Sequence, residues 1–384
     1  TIARDIMGTL ANVRGFEKLS VADMMYPANW TACIGYADTC GGGSSLANYD
    51  FALKLLKSEL VSSVSLRATS IANFSFDTHS SNGPQIHTNH LRIAFEGIVG
   101  RGLGPKLMLP WRLVKAVGTA KALLRQLKPD VVIGMGGYPT VPGGLAATGL
   151  GIPLAIHQSD AVAGLANRML ARRADRVLTG FASVFAHYAA RREVTGNPIR
   201  AEFARYPLPA ERFAQRADKP LQLVAMGGSR GAEAINTLLP QALQRLPQAA
   251  RPQVLHQAGR GAKDATAARY AALGVAANVV EFIDAPAPLL AECDYFVGRS
   301  GASTVSELAA LGVASLLIPY PHHKDQQQLH NARVLETAGA AVIAAQPGLT
   351  AESLAAHLAG LTRARCLAMA TAAQTVAKPQ ATEA

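Results

Sequence analysis

Leu221 to Asn236 reads LQLVAMGGSRGAEAIN, an apolar strand pattern that runs into Gly227, Gly228, Ser229 and Gly231 and then into a helical one. Such a turn brings backbone N–H groups and a helix dipole onto an anion, with the Ser229 hydroxyl as a further donor, so it suits a phosphate. The same small residues also suit a tight strand-to-helix turn that binds nothing. It is not the dinucleotide fingerprint, because no acidic residue ends the following strand at the expected distance. Tyr295 to Glu307, YFVGRSGASTVSE, repeats the arrangement. Ser300, Gly301, Ala302, Ser303 and Thr304 fall at a helix start, where hydroxyls and amides again suit phosphate, and Glu307 one turn on can accept from a ribose diol. The alternative needs no ligand: Ser300 or Ser303 caps the helix and Glu307 completes a capping box.

Pro319 to Ala332, PYPHHKDQQQLHNA, is a strand end releasing into a polar cluster at a helix start. Gln327, Gln328 and Asn331 combine donors and acceptors on short stems, which suits the hydroxyls and acetamido group of a sugar. His322, His323 and His330 have no recognised ligand spacing and no accompanying carboxylate pair, so no metal is expected. In VTGNPIR, Arg200 either neutralises a diphosphate or faces solvent. In IHQSDAVAGLAN, His157, Ser159 and Asp160 follow a strand end, the place where α/β proteins put function. VVIGMGGYPTVPGG, residues 131–144, reads either as an acceptor-phosphate loop or as a crowded turn.

Between Gly97 and Lys128 stand seven basic residues and no acidic one. Arg112 and Lys115 are among them, interleaved with Leu107, Leu109 and Trp111, an apolar group with a basic rim that suits an anionic membrane surface. The alternative is an amphipathic helix with its apolar side in the core. A nucleic-acid groove is disfavoured, because aromatic residues for base stacking make up only 6%.

The elements that must hold these residues alternate. Short apolar runs at 131–133, 154–156, 176–178, 221–224, 254–256, 295–297 and 315–318 predict strands. Helical patterns at 113–127, 232–245, 265–272, 304–311 and 325–337 come between them. The fold class is therefore α/β, with two doubly wound Rossmann-like domains facing a cleft. Residues 1–90 have weak periodicity and stay unassigned; 91–200 form the N-terminal Rossmann-like domain, 201–219 a linker, 220–360 the C-terminal one, and 361–384 a closing helix and tail. The uncharged run 131–156 is expected as loops and short buried segments, since it holds too many Gly and Pro for a membrane helix. At 384 residues, 49% apolar and 16% charged, the chain is globular rather than disordered. A net charge of +11 predicts an anionic partner. Cys33, Cys40, Cys293 and Cys366 are too few and scattered for a disulfide scaffold, and residues 1–16 lack the apolar core of a signal peptide.

Several segments in register resemble one family. GMGGYPTVPGGLAA, HQSDAVAGLANR, ADRVLTGF, TGNPIRAEF, MGGSRGA, FIDAP, GRSGASTVSELAALG, PYPHHKDQQQLHNA and ETAGAA look like the MurG-type N-acetylglucosaminyltransferases of peptidoglycan synthesis, over roughly residues 91–360. The resemblance implies a GT-B fold and an inverting hexosyltransferase that moves N-acetylglucosamine from its UDP conjugate to lipid I, the undecaprenyl-diphosphate-linked muramoyl peptide, giving lipid II. It implies no cofactor, and a peripheral location at the cytoplasmic face of the bacterial inner membrane. By the same resemblance Ser229 and Arg200 hold the donor diphosphate, assisted by the helix start at Ala302, Ser303 and Thr304. Glu307 binds ribose, Ile283 meets uracil through its backbone, and Gln328 with Gln327 fixes the sugar. The segment around Trp111 matches the family's membrane-docking surface.

The family's amino-terminal GGTGGH loop, whose His is the usual candidate base, has no counterpart. The nearest echo is Gly41 to Ser44, without a His. An inverting transfer needs a proton acceptor that amides do not supply, which leaves Asp160 or His157 for that role. Two other readings fit the same features: a UDP-sugar-binding protein without catalysis, and a GT-B transferase with another lipid acceptor.

Overall fold

The computed structural model describes residues 63–66, 109–138, 140–188, 190–228, 231–323 and 325–381. The chain divides into two compact units. Of the described residues, the first holds those up to Gln158 with Ala163–Leu178 and His187–Glu193, and the second holds Ser159–Val162, Thr179–Ala186 and those from Val194 on.

The first unit is built on strands β1 (Ser63–Leu66), β2 (Val131–Gly134), β3 (Leu154–Gln158), β4 (Arg176–Thr179) and β5 (Arg192–Glu193), hydrogen-bonded in that order. β1 runs antiparallel to β2, while β2 and β3, and likewise β4 and β5, are parallel. Helices α1 (Leu109–Leu127), α2 (Thr140–Thr148) and α3 (Leu165–Ala171) lie between strands in sequence. β3 is buried at every position, as a central strand covered on both faces must be. Helix α2 corrects the expectation that 131–156 holds only loops and short buried segments. Its sequence TVPGGLAAT tolerates Pro142 because the first turn needs no N–H there. Gly144 is needed because a Cβ would come within 2.7 Å of Leu170 on α3.

The second unit has strands β6 (Gln222–Met226), β7 (Gln253–Gln257), β8 (Asn278–Val280), β9 (Tyr295–Gly298), β10 (Ser315–Leu317) and β11 (Ala341–Ile343). They are all parallel, in the spatial order β11-β10-β9-β6-β7-β8. Counted along the chain this is the doubly wound order 3-2-1-4-5-6, with its switch point between β6 and β9. Its helices are α4 (Pro209–Ala214), α5 (Glu233–Gln244), α6 (Lys263–Ala272), α7 (Pro286–Ala291), α8 (Ala302–Leu311), α9 (Gln327–Thr337), α10 (Ala351–Ala359) and α11 (Arg363–Gln374). One apolar layer joins Ile235, Leu239 and Leu243 of α5 to Tyr270, Leu354 and Met369. The other joins Leu290 of α7, Val305 and Leu308 of α8, and Leu335 of α9 around Phe296. A fully buried Leu or Phe contributes about 1.5–3 kcal/mol, so these two layers pin the sheet between helices and fix where its strand ends lie.

Residues 201–219 fall within the second unit and contain a 3-10 turn at Ala201–Ala204 as well as α4. On α4, Arg212 is buried. It donates to the carbonyls of Pro207 (3.0 Å), Ala291 (2.6 Å), Gly312 (2.8 Å) and Leu311, so one guanidinium closes the carboxyl ends of α7 and α8. Burial pulls its pKa down to about 10, and it keeps its charge at neutral pH. Cys293 and Cys366 are buried free thiols; Cys33 and Cys40 lie outside the described residues.

Candidate functional site

The two Gly-rich turns singled out in the sequence leave β6 and β9, the strands flanking the switch point of the second unit. After β6 the chain turns at Gly228 (φ +83) and Gly231 (φ +70) into α5. Gly231 donates to the Gly228 carbonyl (2.8 Å), and a Cβ on Gly231 would strike the Ala258 carbonyl oxygen, so the turn closes only with glycine there. Ser229 lies outside the described residues.

After β9 the chain enters α8 with Gly301 at the N-cap, and no side chain caps the helix. This corrects the expectation that Ser300 or Ser303 caps the helix. Ser300 is fully buried and donates its hydroxyl to the Gln328 carbonyl (2.7 Å) instead of to α8. The N–H groups of Ala302, Ser303 and Thr304 therefore open α8 with no side-chain acceptor from the helix's own cap, an arrangement that favours an anion. Glu307 sits one turn inside, half-buried.

Two further segments border these turns in the second unit. Ile283 is buried, and its backbone N–H and C=O make no hydrogen bond among the described residues, whereas the neighbouring Asp284 carbonyl accepts from Arg200 (3.5 Å). An unpaired peptide edge of this kind offers one donor and one acceptor to a planar base. Arg200 also pairs with Glu202 (3.2 Å), lies over the Phe203 ring (5.1 Å), and keeps a buried Nε without a partner among the described residues. The guanidinium thus reaches the carbonyl next to Ile283 while the side chain stays 29% exposed.

The polar cluster heads α9. Gln328 accepts through Oε1 from the Tyr320 N–H (2.9 Å), which directs its Nε2 away from that contact, and Gln327 donates to Asp325 (2.9 Å). Arg299 steadies the same corner: it donates to the Ile318 carbonyl (2.9 Å) and Gln346 (2.7 Å) and lies over the Tyr320 ring (5.6 Å). Asn331 is fully buried and spends its amide on protein. Its Nδ2 donates to Asp160 (2.8 Å) and the Ser300 carbonyl (3.2 Å), and its Oδ1 accepts from Ala161 (2.7 Å). Burial raises the Asp160 carboxyl above its ordinary value and Asp325 adds to this, against the lowering effects of the Asn331 hydrogen bond and His323. Asn197 secures the same loop by donating to the Ser159 carbonyl (3.0 Å) and to Ser306 of α8 (3.0 Å).

The first unit holds the other candidates. His157 is buried in β3, and its carbonyl accepts from Asn167 Nδ2 (2.9 Å), which also reaches Gln158 (2.9 Å). The structure thus assigns His157 to the first unit and Asp160 to the second. On α1, Trp111 is 70% exposed and Val114 67%, beside Arg112 and an exposed Lys115. Those two side chains are not core, although further along the helix Ala116, Ala120 and Leu124 are buried, as the alternative of an apolar side turned inward expects. Leu107 lies outside the described residues, as do the Leu109 side chain and the Gly41 to Ser44 echo. Among the described residues, no helix is long and apolar enough to cross a membrane.

One buried network went unnoticed in the sequence. Asn236 Nδ2 donates to the Ala258 carbonyl (3.0 Å), so its Oδ1 faces His256 Nε2 (3.0 Å) as an acceptor. His256 must then carry its proton on Nε2 and accept at Nδ1 from the Tyr270 hydroxyl (2.9 Å). Burial keeps this imidazole neutral, with a pKa near 4. The chain Tyr270, His256, Asn236, Ala258 ends on the carbonyl that a Cβ at Gly231 would strike. The available signal was His256 itself, a polar residue interrupting the apolar strand VLHQ.

Comparison with known proteins adds to this geometry. Residues 74–179 match the glycosyltransferase family 28 N-terminal domain and residues 222–384 the glycosyltransferase family 28 C-terminal domain. The chain is 48% identical over 290 residues to the UDP-N-acetylglucosamine--N-acetylmuramyl-(pentapeptide) pyrophosphoryl-undecaprenol N-acetylglucosamine transferase of Cupriavidus metallidurans, covering 76% of this chain and 80% of that one. The protein of the same description from Nitrosomonas europaea is 46% identical, over 76% of this chain and 81% of its own. Among solved structures, Acinetobacter baumannii MurG superposes with a TM-score of 0.64 at 36% identity, covering 71% of this chain and 77% of that one.

Proposed function

Because the chain belongs to the MurG-type N-acetylglucosaminyltransferases of glycosyltransferase family 28, with their GT-B-like α/β fold, we propose that it transfers N-acetylglucosamine from UDP-N-acetylglucosamine to lipid I, forming lipid II. The observation that carries the donor side is that the uncapped start of α8 and the glycine turn after β6 leave the two strands flanking the switch point of the second unit, while the unpaired peptide edge of Ile283, beyond the edge strand β8, is tied to that glycine turn through Gln257.

In this reading uracil pairs with the backbone of Ile283 and Glu307 accepts from the ribose diol. The diphosphate lies against the glycine turn, the Ser229 hydroxyl and the N–H groups of Ala302, Ser303 and Thr304. Arg200 supports the Ile283 segment and adds positive charge. Gln328, held by Tyr320, and Gln327 read the sugar; Asn331 acts one step back, positioning Asp160. The 4-hydroxyl of the muramoyl unit attacks the anomeric carbon from the face opposite UDP. As the new C–O bond forms, the bond to the β-phosphate oxygen breaks, its electron pair leaves with UDP, and Asp160 takes the hydroxyl proton. Charge grows on the departing diphosphate, where the α8 dipole and the turn amides oppose it. A carboxylate whose pKa is raised by burial is a stronger base than a solvated one, which favours Asp160 for this step.

The lipid substrate also sets the location. Trp111 and Val114, exposed beside Arg112 and Lys115 in a chain of net charge +11, dock on an anionic bilayer, placing the protein peripherally at the cytoplasmic face of the inner membrane. The test is a donor panel with a short-chain lipid I analogue: UDP-N-acetylglucosamine is turned over at least about 100-fold faster than UDP-glucose, because unmet amide partners in the sugar pocket penalise the analogue. Equal rates would overturn the sugar assignment.

A further inference from the structure

Gln257 is the last residue of β7, almost fully buried, and neither turn contains it. Its Nε2 donates twice, to the Gly228 carbonyl (3.0 Å) and to the Glu281 carbonyl (3.0 Å). The first belongs to the glycine turn after β6; the second lies two residues before Ile283. The Gly227 N–H in turn donates to the Gln257 carbonyl (3.3 Å), so side chain and backbone of one residue grip the turn together. Glu281 is fixed a second time, through its carboxylate, by the Gly261 N–H (2.6 Å). The Oε1 of Gln257 is buried with no hydrogen-bond partner among the described residues. A buried acceptor left unmet is unfavourable. The position therefore uses the two N–H bonds of an amide and makes no use of its oxygen.

We propose that Gln257 is a positioning residue of the donor site: by bridging Gly228 and Glu281 it fixes the spacing between the segment that receives the diphosphate and the segment that receives uracil, and so sets the affinity for a uridine diphosphate as a unit. This rests on the donor-site reading above. A nucleoside diphosphate spans both segments at once, so losing the bridge weakens binding of UDP and of the UDP-sugar together. The acceptor, which meets neither segment, is unaffected.

Gln257→Glu tests this, because the isosteric carboxylate keeps the shape but presents only acceptors to two carbonyls. The expected result is a 10- to 100-fold rise in the Kd for UDP by calorimetry and a matching rise in KM for UDP-N-acetylglucosamine. KM for a short-chain lipid I analogue stays within twofold. Gln257→Met, which loses the donors without adding charge, serves if the first variant fails to fold, and should show the same split at smaller size. A role confined to stability predicts a lower Tm with unchanged Kd and KM in the folded fraction, and that result would overturn the proposal. On the wild-type protein, hydrogen exchange with UDP bound should protect 227–231 and 281–285 together; protection of only one segment also overturns it. Failure of the wild-type protein to bind UDP would instead refute the donor-site reading.

Discussion

Asp160 and Asn331 carry the most specific claim at the scale of single residues. Asp160→Asn should lower kcat by about 100-fold or more, the usual weight of a general base, while the Kd for UDP stays unchanged. The sign of its pH dependence follows from the raised pKa. The base works only when ionised, so kcat climbs as pH rises through a value above 3.8, and the limb disappears in Asp160→Asn. Stability runs the other way: the folded state holds the proton more tightly than the unfolded chain, so the carboxyl's contribution is present at low pH and lost as pH rises through the folded value. A kcat profile with no such acidic limb would remove Asp160 from the role. Much of this scale was legible, because phosphate and sugar chemistry demand small, hydroxyl and amide side chains in short runs such as GGSRG and DQQQ. The duty of Asn331 was not, since its partner Asp160 lies 171 residues away and its type alone suits a sugar equally well.

Secondary-structure elements hold the site in place, and their weak points are identifiable. Gly231→Ala forces a Cβ into a left-handed conformation, a cost of about 1–2 kcal/mol, and drives it onto the Ala258 carbonyl, so thermal stability and UDP affinity should fall together. Arg212→Met strips the donors from carbonyls ending α7 and α8; urea titration should show a loss of about 3 kcal/mol with donor KM nearly unchanged in the folded protein. His256 makes stability depend on pH. Its folded value near 4 lies below the ordinary 6.5, so stability is full above 6.5 and declines as pH falls towards 4, by about 3 kcal/mol in total. His256→Gln should flatten that decline in denaturant titrations. Strands of four or five residues with apolar runs, such as β2, β6 and β9, were readable from sequence. β5, β8 and β11, two or three residues long, were missed, although β10 of three residues was read from its apolar run, and β1 fell in the unassigned residues 1–90. α2 was missed because Pro142, Gly143 and Gly144 suppress the helical signal, although packing against Leu170 selects the glycine.

For the whole molecule, charge and lipid chemistry make one prediction and the reaction makes the decisive one. Binding to vesicles containing anionic lipid should weaken as ionic strength rises, since exposed charges are screened beyond about 8 Å in physiological salt. Trp111→Ala should reduce that binding roughly 10-fold without changing turnover of a short-chain acceptor, the side chain being 70% exposed on α1. Vesicle binding insensitive to both would remove the docking surface. The most direct measurement supplies the protein with UDP-N-acetylglucosamine and a short-chain lipid I analogue and follows UDP release and lipid product in the same reaction. The account predicts one β-linked disaccharide product for each UDP released. Tight UDP-sugar binding with no product, or UDP release without the disaccharide, would contradict it.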